Sequence, residues 1–592
     1  PSSCLSAADL MAALFFYALV FDPHNFQNPD NDRFILSKGH AAPILYAVFK
    51  ELGLLEDQDL YTYRNIDSFL EGHPTPRCPY VEAATGSLGM GLSIGVGIAL
   101  SALLDARDFH TYVLLGDSEL SEGSVWEACE IAAHYHLTNL IGIVDCNRLG
   151  QTGPSLHGYS IDRWQNKFQA FGWETIVIDG HHMNDIIHAF DKARQVTERP
   201  AMILAKTIKG FGVSSIENKE GYHGKAFKQE EISAILLEMK ERFLAASSYE
   251  DVGIWCPTIP ESHTKEHDSC SPTPVTMPVY HKDEKIATRT AYGNALVELG
   301  RACALIVSLD AEVKNSTFAE MFEHVFPSRF YQCFIAEQNM VSMGVGMASR
   351  GKIPFISTFG AFFTRSFDQL RMAAISNSAL RCVGSHAGIS IGPDGPSQMG
   401  LEDIAMMATL PSSVIVYPSD AVSTHRLLEQ MLGYNQGMSY LRTTRSATPV
   451  IYDVHEEFVL GGCKVLRSGG HDQACIIAAG ITLFEALKAY DELLSEGISV
   501  SVIDLYSIKP FDRETVLVTV QKSGNVVITV EDHYITGGIG QIVSSALCNE
   551  KIFCTCLAVK ALPRSGRPEE LMAWAEIDSR AIIKAVKHHV CS

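Results

Sequence analysis

The chain has 592 residues, of which 46% are hydrophobic and 19% are charged, and a chain of this length is expected to fold as roughly three or four domains that each bury a core. Its 47 Lys and Arg residues stand against 68 Asp and Glu residues, and the net charge of −21 argues against nucleic acid and anionic membranes as partners. With this net charge, any anionic ligand would have to be met by a local basic pocket.

The first block of the chain, residues 1–255, contains apolar, β-prone runs that predict buried strands at 111–115, 140–144 and 174–178. Residues 83–104 of this block are uncharged and about long enough to span a bilayer. Because the stretch is rich in glycine, we predict a closely packed loop and helix there instead of a membrane span.

Residues 256–282 separate the first block from the rest of the chain. They are rich in Pro, Ser, Thr and His and lack hydrophobic periodicity, which is typical of a linker. Strands are predicted in the second block, 283–453, and a strand, an amphipathic helix and a strand in the third, 454–592. The strands of the second block lie at 304–309, 353–358 and 414–417. In the third block the strands lie at 474–479 and 498–505, with the helix between them at 483–494. The alternation predicts an α/β fold of three consecutive α/β domains with mostly parallel sheets.

The motif GDSELSEG, which starts at Gly116, indicates half of a metal–diphosphate site. Asp117 comes directly after one predicted strand and Asn147 follows the next, and open α/β sheets bind ligands at this edge. A carboxylate, an amide oxygen and a backbone carbonyl, for which Leu149 would serve, form an all-oxygen site that suits Mg²⁺ with phosphate oxygens and water. The alternative is a surface turn with ordinary capping residues, which the second strand-end residue makes less attractive.

Five further motifs occur in order along the chain. They are SKGHAAP at 37–43, GHP at 72–74, ATGSLG at 84–89, IAEQNM at 335–340 and DGPSQ at 394–398. Each alone is a weak signal, but in this order and spacing they resemble the thiamine-diphosphate enzymes and, within them, the transketolase family of the animal type. The resemblance covers essentially the whole chain.

The resemblance implies thiamine diphosphate as the cofactor and Mg²⁺ as its metal, with Ca²⁺ or Mn²⁺ as substitutes. It implies a diphosphate- and metal-binding domain at 1–255, a pyrimidine-binding domain at 283–453 and a C-terminal domain at 454–592. It also implies a homodimer with its active sites at the subunit interface, a cytoplasmic location, and neither nucleic acid nor membrane as a partner.

The cofactor-binding positions of the family can be matched residue by residue. The metal ligands match Asp117, Asn147 and the Leu149 carbonyl. Residues around the rest of the cofactor match His40, Gly86, Ser87, Leu88, Gln151, Lys209, Phe359 and Phe362. Without the motifs, the aromatic residues would be ordinary core and Lys209 an ordinary surface lysine. Ser118 stands where the family usually has Gly, and a backbone that required φ > 0 there would weaken metal or cofactor binding.

Glu337, in the motif IAEQNM, matches the catalytic Glu of the family. A carboxylic acid beside the pyrimidine ring favours the imino tautomer that removes the thiazolium proton. This requires partial protonation near neutral pH, so we expect burial to raise the pKa of Glu337. Without the motif, a Glu between Ala and Gln would be interpreted as a solvated loop residue.

Substrate handling is expected to depend on His and Arg residues. His73 and His223 match family histidines that contact substrate hydroxyls and shuttle protons, although either alone would more often be structural. Substrate-binding positions match Ser3, Lys38, Arg289, Ser316, His386, Asp394, Gln398 and Arg445. Arginine suits a sugar phosphate because its planar fork pairs with two oxygens. Asp394 matches a carboxylate that selects a substrate hydroxyl, and Gln398 stands where microbial members tend to have His.

The start of the chain departs from the family pattern. The family has Gly-His-Pro and then small residues where this chain begins PSSC, so an active-site His would precede Pro1. We therefore expect the sequence to be a fragment that lacks an N-terminal helical region. The 15 cysteines show no C-x-x-C pair and lie mostly in apolar runs, which predicts buried thiols in a reducing compartment.

The function implied by the resemblance is that of a transferase. A two-carbon ketol unit would move from a ketose phosphate such as xylulose 5-phosphate to an aldose phosphate such as ribose 5-phosphate or erythrose 4-phosphate, in the pentose phosphate pathway. One alternative is another thiamine-diphosphate enzyme, 1-deoxyxylulose-5-phosphate synthase or dihydroxyacetone synthase. The other is a weakly active or non-catalytic transketolase-like paralogue that acts as a binding partner.

Overall fold

The computed structural model describes residues 1–246, 256–261 and 275–590. Chain contacts divide it into two compact units, Pro1–His267 with Ser342–Arg350, and Asp268–Val341 with Gly351–Ser592. The predicted linker at 256–282 lies partly outside the described residues, as does the end of the predicted first domain. The predicted domain boundaries stay predictions.

The first unit contains a five-stranded sheet in the order β1-β2-β3-β5-β4, in which all neighbours are parallel. Its strands are β1 Arg33–Leu36, β2 Thr111–Gly116, β3 Leu140–Cys146, β4 Glu174–Asp179 and β5 Ala201–Lys206. The three strands predicted in this block are confirmed. Since β3 is buried along its whole length, its uninterrupted apolar run is what a parallel sheet covered on both faces requires.

The first unit also contains α-helices. They are α1 Ser2–Leu5, α2 Ala8–Ala13, α3 Ala42–Glu51, α4 Asp57–Tyr61, α5 Gly91–Leu104, α6 Gly123–His134, α7 Ile161–Ala170, α8 Met183–Arg194 and α9 Gln229–Ala246. Of these, α5, α7 and α8 pack against the sheet. The predicted packed helix at 83–104 is confirmed as α5, and none of the described helices is long and apolar enough to cross a membrane. A Cβ on Gly97 would stand 2.0 Å from the Met343 carbonyl oxygen, so the glycines of α5 permit a close backbone approach.

The second unit contains two main sheets. One has seven strands in the order β17-β11-β12-β10-β9-β7-β8, and the other has five in the order β14-β16-β15-β18-β19. The strands are β7 Ile306–Asp310, β8 Phe330–Gln332, β9 Ile353–Phe359, β10 Arg381–Ser385, β11 Val414–Val416, β12 Ser439–Arg442, β14 Lys464–Arg467, β15 Ala474–Ala478, β16 Val500–Asp504, β17 Ser507–Lys509, β18 Val526–Tyr534 and β19 Phe553–Val559. Only the pairs β11–β17 and β14–β16 are antiparallel within these described sheets.

A third, two-stranded antiparallel sheet is formed by β6 Lys285–Ala287 and β13 Ala447–Pro449. The helices of this unit are α10 Thr288–Ala302, α11 Lys314–Thr317, α12 Glu320–Val325, α13 Glu337–Ser349, α14 Phe367–Ile375, α15 Asp403–Ala408, α16 Ala421–Gly433, α17 Ile481–Ser495, α18 Arg513–Lys522, α19 Ile539–Ala546, α20 Pro568–Trp574 and α21 Ser579–Val590, with the C-terminal part of α13 counted in the first unit. The predicted α/β class with mostly parallel sheets is confirmed.

The prediction of buried cysteines is wrong at several positions. Cys256, Cys548 and Cys554 are exposed, and Cys556 is half-buried. The last two lie on β19, which has a single neighbouring strand, β18, in the part of the chain that the structure describes. An apolar run therefore does not bury every cysteine within it, because a strand at the edge of its sheet is covered less than a central one.

Candidate functional site

A cavity of about 480 Å³ opens in the first unit at the carboxyl ends of β2 and β3. In the register of these strands Gly116 lies opposite Asp145, so the residues that follow each strand meet at this edge. The lining includes the predicted residues Ser3, Lys38, His40, His73, Gly86, Leu88, Asp117, Asn147, Leu149, Gln151, Lys209 and His223. Ser87 lies in the chain between two of them. The structure thus brings the predicted residues of the first block together.

Asp117 is a buried carboxylate that no described Lys, Arg or His neutralises by an ion pair. Its side chain is 2% exposed, and its Oδ2 accepts hydrogen bonds from the Arg148 amide at 2.7 Å and the Ser155 hydroxyl at 2.8 Å. Burial raises the pKa of Asp117 to about 6. A buried carboxylate that has no ion-pair partner among the described residues fits a cation-binding site.

The Asn147 amide is oriented by a residue that sequence reasoning missed. Its Nδ2 donates to Asp145 Oδ2 at 3.1 Å, and its Oδ1 accepts from the Leu149 amide at 3.2 Å. Asp145 also forms a buried ion pair with Lys38, which lowers the pKa of this carboxyl against the effect of its burial. Removing one partner of such a pair costs about 3–5 kcal/mol, so Asp145 is firmly held. Its position two residues before Asn147 was the available signal.

Lys38 was predicted to bind substrate, and the structure gives its ammonium group two buried partners. Besides Asp145, its Nζ donates to the Ser3 carbonyl at 3.0 Å. Lys38 is 1% exposed, yet it still lines the cavity. It therefore also holds the first residues of the chain against the cavity wall.

The Leu149 carbonyl, a predicted metal ligand, accepts a hydrogen bond from Lys209 Nζ at 2.7 Å. The same ammonium group donates to the Gly150 carbonyl at 2.9 Å. A carbonyl oxygen has two lone pairs, so one bond leaves acceptor capacity. Lys209 is 3% exposed, so the surface-lysine alternative is wrong, and burial lowers the pKa of Lys209 to about 8 with Lys38 contributing.

Ser118 does not have the backbone strain that we anticipated. Its φ is −69° and its ψ is −30°, which is right-handed helical geometry that any residue adopts. Its hydroxyl is buried without a hydrogen-bond partner among the described residues, and the residue lines the cavity. The expected loss of metal or cofactor affinity therefore has no backbone cause.

Three imidazoles converge on the cavity. The rings of His40 and His223 stand 4.7 Å apart. Burial lowers the pKa of His40 to about 3 and that of His223 to about 4, with nearby lysines adding to both effects. Burial and the Arg64 guanidinium lower the pKa of His73. All three rings are thus neutral at physiological pH. Each can donate one hydrogen bond through its N–H and accept another at its second ring nitrogen.

Two glycines let the backbone approach these rings. Gly86 has φ 132°, and a Cβ there would stand 2.7 Å from His73 Cδ2. A Cβ on Gly39 would stand 2.7 Å from the Gly86 amide nitrogen. Neither position accepts a larger residue without displacement.

Glu119 is another residue that sequence reasoning missed, although it lies in the GDSELSEG motif. It is 1% exposed, pairs with the Ser37 hydroxyl, and accepts hydrogen bonds from the Gly89 amide at 2.8 Å and the Gly116 amide at 3.0 Å. Glu119 therefore ties together the three loops that carry the SKGHAAP, ATGSLG and GDSELSEG motifs. Arg64 and Tyr63 at the cavity were also missed.

In the second unit, Glu337 is the first residue of α13. Its side chain is 2% exposed and pairs with Arg365 Nη1 at 2.9 Å, while Arg365 itself is 55% exposed. The solvated-loop alternative for Glu337 is therefore wrong. Arg365, which sequence reasoning missed, is the cation that accompanies this buried carboxylate.

The predicted aromatic residues of this unit form one stack with a predicted substrate residue. Phe359 lies parallel to Phe362 at 4.9 Å and to His386 at 3.8 Å between ring centroids. His386 Nδ1 lies 2.8 Å from the Ser385 hydroxyl. Burial lowers the pKa of His386 to about 4, and Arg289 and Arg445 add to the effect.

The predicted phosphate pocket is a cluster of two arginines and one carboxylate. Arg445 Nη1 pairs with Asp394 Oδ2 at 2.7 Å, and Arg289 Nη1 donates to the Ser316 carbonyl at 2.9 Å. Burial and the charge of Arg445 lower the pKa of Arg289. The structure thus brings Arg289, Ser316, His386, Asp394 and Arg445 together, and Gln398 is half-buried four residues after Asp394.

Three family models match the chain in sequence. Residues 1–244 match the transketolase thiamine diphosphate binding domain. Residues 284–450 match the transketolase pyrimidine binding domain, and residues 461–582 match the transketolase C-terminal domain. Together the matches span most of the chain.

Comparisons with known proteins agree with these models. The chain is 46% identical to mouse transketolase over 596 residues, which covers 99% of this chain and 93% of the mouse protein. It is also 46% identical to mouse transketolase-like protein 2, covering 100% of this chain and 94% of that protein. The crystal structure of transketolase from Campylobacter jejuni shares the fold, with a TM-score of 0.82 at 21% identity over 99% of this chain and 98% of that one. The chain belongs to the transketolase family.

Proposed function

We propose that this transferase moves a two-carbon ketol unit from a ketose phosphate such as xylulose 5-phosphate to an aldose phosphate such as ribose 5-phosphate or erythrose 4-phosphate. The pentose phosphate pathway would be its metabolic setting. The observation that carries the proposal is the cavity of the first unit, in which Asp117 and Asn147 meet buried Lys209 and the neutral imidazoles of His40, His73 and His223. Oxygen atoms that suit a metal ion and imidazoles that can accept protons line the same cavity.

The cavity residues fit a divalent cation bound to a diphosphate. Asp117, the Asn147 amide oxygen and the Leu149 carbonyl would hold Mg²⁺, Ca²⁺ or Mn²⁺. Within the described residues no group of three or more His, Cys, Asp and Glu side chains is arranged to bind a metal, which agrees with a cation that takes its other ligands from phosphate and water. Thiamine diphosphate, when bound, supplies the carbanion-stabilising chemistry.

The residues of this chain would then bind, orient and move protons. Lys209 adds a positive charge beside the Leu149 and Gly150 carbonyls. His40, His73 and His223, held neutral by burial, would accept protons from substrate hydroxyls. Glu337 would hold a proton at a ring nitrogen of the pyrimidine, and Phe359 with Phe362 would orient that ring. Ser87, Leu88 and Gln151 would line the cofactor.

The arginine cluster of the second unit suits a sugar phosphate. Arg289 and Arg445 outnumber Asp394, so the cluster is positive in a chain whose net charge is −21. A dianionic phosphate would pair with both guanidinium groups. Asp394 would accept a hydrogen bond from a substrate hydroxyl, and Ser316, His386 and Gln398 would complete the pocket.

We further propose a cytoplasmic homodimer with its active sites at the subunit interface. The diphosphate residues belong to the first unit, whereas Glu337 belongs to the second. Phe334 and Ile335, just before Glu337, are 38% and 71% exposed, which is typical of apolar residues that a partner covers. The domain boundaries at 255, 283 and 453 belong to this proposal as well.

A coupled assay tests the proposed reaction. Purified protein is mixed with xylulose 5-phosphate and ribose 5-phosphate, with and without thiamine diphosphate and Mg²⁺, and we expect turnover only with both present. Turnover with pyruvate and glyceraldehyde 3-phosphate, or with formaldehyde as acceptor, would favour the synthase alternatives. Cofactor binding without turnover of any of these pairs would favour the non-catalytic paralogue.

A further inference from the structure

Two cysteines lie side by side on the edge strand β19. Cys554 and Cys556 are separated by one residue, so both side chains point to the same face of the strand. Their Sγ atoms are 3.8 Å apart. Ser544 of α19 faces both, with its Oγ 3.1 Å from Cys554 Sγ and 3.9 Å from Cys556 Sγ. The three side chains form a compact polar group in the region that matches the C-terminal domain.

The two thiols differ in their surroundings. Cys554 is exposed, whereas Cys556 is half-buried against α19. A Cβ on Gly540 would stand 2.7 Å from Cys556 Sγ. Only a glycine at this position leaves enough space for the sulfur atom. A small oxidant can therefore reach the pair from the solvent side.

The contacts favour a thiolate at Cys556. The contact with Cys554, with smaller contributions from Thr529 of β18 and Ser544, lowers the pKa of Cys556 to about 5 against the opposing effect of its burial. Glu531 of β18 is the titratable group that faces the pair from the neighbouring strand, and burial raises the pKa of this carboxyl to about 8. The carboxyl is thus largely protonated at neutral pH. A thiolate beside an exposed second thiol is the arrangement typical of reversible cysteine oxidation.

We propose that Cys556 and Cys554 form a site of reversible oxidation by hydroperoxides, independent of the proposed active site. The Cys556 thiolate attacks the terminal oxygen of the hydroperoxide, an S–O bond forms, the O–O bond breaks, and the departing alkoxide, or hydroxide in the case of hydrogen peroxide, is protonated to an alcohol or to water. The sulfur is oxidised by two electrons and the peroxide is reduced. The Cys554 thiol then attacks the Cys556 sulfur, an S–S bond forms, the S–O bond breaks, and the thiol proton leaves with the hydroxide as water.

The position on an edge strand permits the second step. Alternate residues of a strand stand about 6.8 Å apart, at the upper end of the Cα separations that a disulfide spans. Among the described strands β19 is paired on one side only, so a small change in its pleat brings the Cα atoms closer. The resulting bond is expected to yield readily to a reducing thiol.

The flanking lysines make the test direct. Trypsin cleaves after Lys551 and Lys560, and peptide 552–560 contains these two cysteines and no others. The full-length protein is treated with hydrogen peroxide, alkylated and digested with trypsin. Mass spectrometry then measures the mass of peptide 552–560. We expect the peptide to lose two hydrogens and to regain both alkylatable thiols after dithiothreitol. Cys554→Ser should leave a sulfenic acid at Cys556 that dimedone traps, and Cys556→Ser should abolish both products.

Exposed Cys548, one loop away, is the matched control. At about pH 6, where an ordinary thiol is mostly protonated, we expect Cys556 to react roughly tenfold faster than Cys548. Its rate should change little between pH 6 and about pH 8, because the thiolate is already the main form of Cys556 at pH 6. Equal rates for both at pH 6, or a peptide that passes to sulfinic acid without the disulfide, would overturn the proposal. Ketol transfer by Cys554→Ser and Cys556→Ser reports that both variants are folded.

Discussion

The imidazole of His386 lies parallel to the phenyl ring of Phe359, with 3.8 Å between the ring centroids and 12° between the planes. His386 adopts this position with φ 57°, a left-handed conformation that costs a non-glycine residue about 1–3 kcal/mol. The surrounding structure must offset this strain. The Ala387 amide donates to the Thr443 carbonyl at 3.2 Å, and the Gly400 amide donates to the His386 carbonyl at 3.2 Å. The ring is thus held between the aromatic stack and the arginine cluster.

Replacing His386 with Gln should make the protein less sensitive to acid. The folded protein keeps His386 neutral with a pKa of about 4, whereas the unfolded chain binds the proton near pH 6.5. The stabilisation by the neutral ring is therefore complete above pH 6.5 and is lost as the pH falls towards 4. Between pH 7 and pH 5 the wild type should lose on the order of 2 kcal/mol more unfolding free energy than His386→Gln. Urea denaturation at both values measures this, and equal losses would contradict the assignment. His471→Gln, at an exposed position, should behave like the wild type.

Glu337→Gln should leave the fold intact and lower turnover by on the order of 10²-fold or more, the usual scale of lost acid–base catalysis. The amide fills the same volume, but it cannot transfer a proton. Steady-state kinetics with saturating thiamine diphosphate measure the change, and circular dichroism checks the fold. Glu298→Gln is the matched control, since Glu298 also pairs with an arginine, Arg301. A near-normal kcat for Glu337→Gln would exclude Glu337 from the proton transfer.

The parts of the site that the sequence predicted are those carried by local patterns. Uninterrupted apolar runs located β2 and β3, and the polar residues at their ends located Asp117 and Asn147. Two of the missed contacts join partners that are distant in sequence. Asp145 meets Lys38 across 107 residues and Arg365 meets Glu337 across 28. No periodicity marks such pairs, because their choice depends on how the sheets bring separate loops together.

Backbone conformation and exposure were the other limits of sequence reasoning. Ser118 was suspected of strain because glycine is usual at its position, but residue type alone does not determine φ, and the observed helical value tolerates serine. Cys554 lies in an apolar run and is nevertheless exposed. A strand's place at the edge of its sheet decides this exposure, and that place depends on the order in which distant strands pair.

Asp117→Ala should abolish the Mg²⁺-dependent binding of thiamine diphosphate. The diphosphate would lose the cation that bridges it to the protein, since Asp117 is the carboxylate of the proposed ligand set. Titration calorimetry with and without Mg²⁺ measures the loss, and removal of metal from the wild type with a chelator should reproduce it. Asp179→Ala, at the carboxyl end of β4 and exposed, should bind as the wild type does. Unchanged binding by Asp117→Ala would contradict the metal assignment.

Arg289→Ala or Arg445→Ala should raise KM for phosphorylated sugars and change kcat less, the pattern expected when uniform binding energy is lost. Neither change should matter much for an unphosphorylated donor such as hydroxypyruvate, because no phosphate is present to pair with the missing guanidinium. Kinetics with both donors separate the two effects. Arg371→Ala, which removes an exposed arginine paired with Asp368, serves as control. Equal damage with both donors would assign the two arginines a structural role.

The final prediction concerns the division of the site between subunits. Asp117 lies in the first unit and Glu337 in the second, and in the proposed homodimer each active site takes one residue from each subunit. Two-fold symmetry then gives two equivalent sites. Since the cofactor would bind the dimer and not the separated chains, it should also shift the monomer–dimer equilibrium towards the dimer, which sedimentation at limiting protein concentration measures.

Mixing Asp117→Ala with Glu337→Gln subunits provides the direct test. Each variant alone should be nearly inactive. In a mixed dimer one site carries both substitutions and the other carries neither, so random exchange of equal amounts should restore about one quarter of the wild-type activity, because half of the dimers are mixed and each has one intact site. Mass spectrometry of the intact dimers verifies the exchange. A mixture of Asp117→Ala with Asp117→Ala,Glu337→Gln subunits is the matched control, since none of its sites is intact. Verified exchange without recovered activity, or an active species that sediments as a monomer, would refute the shared site.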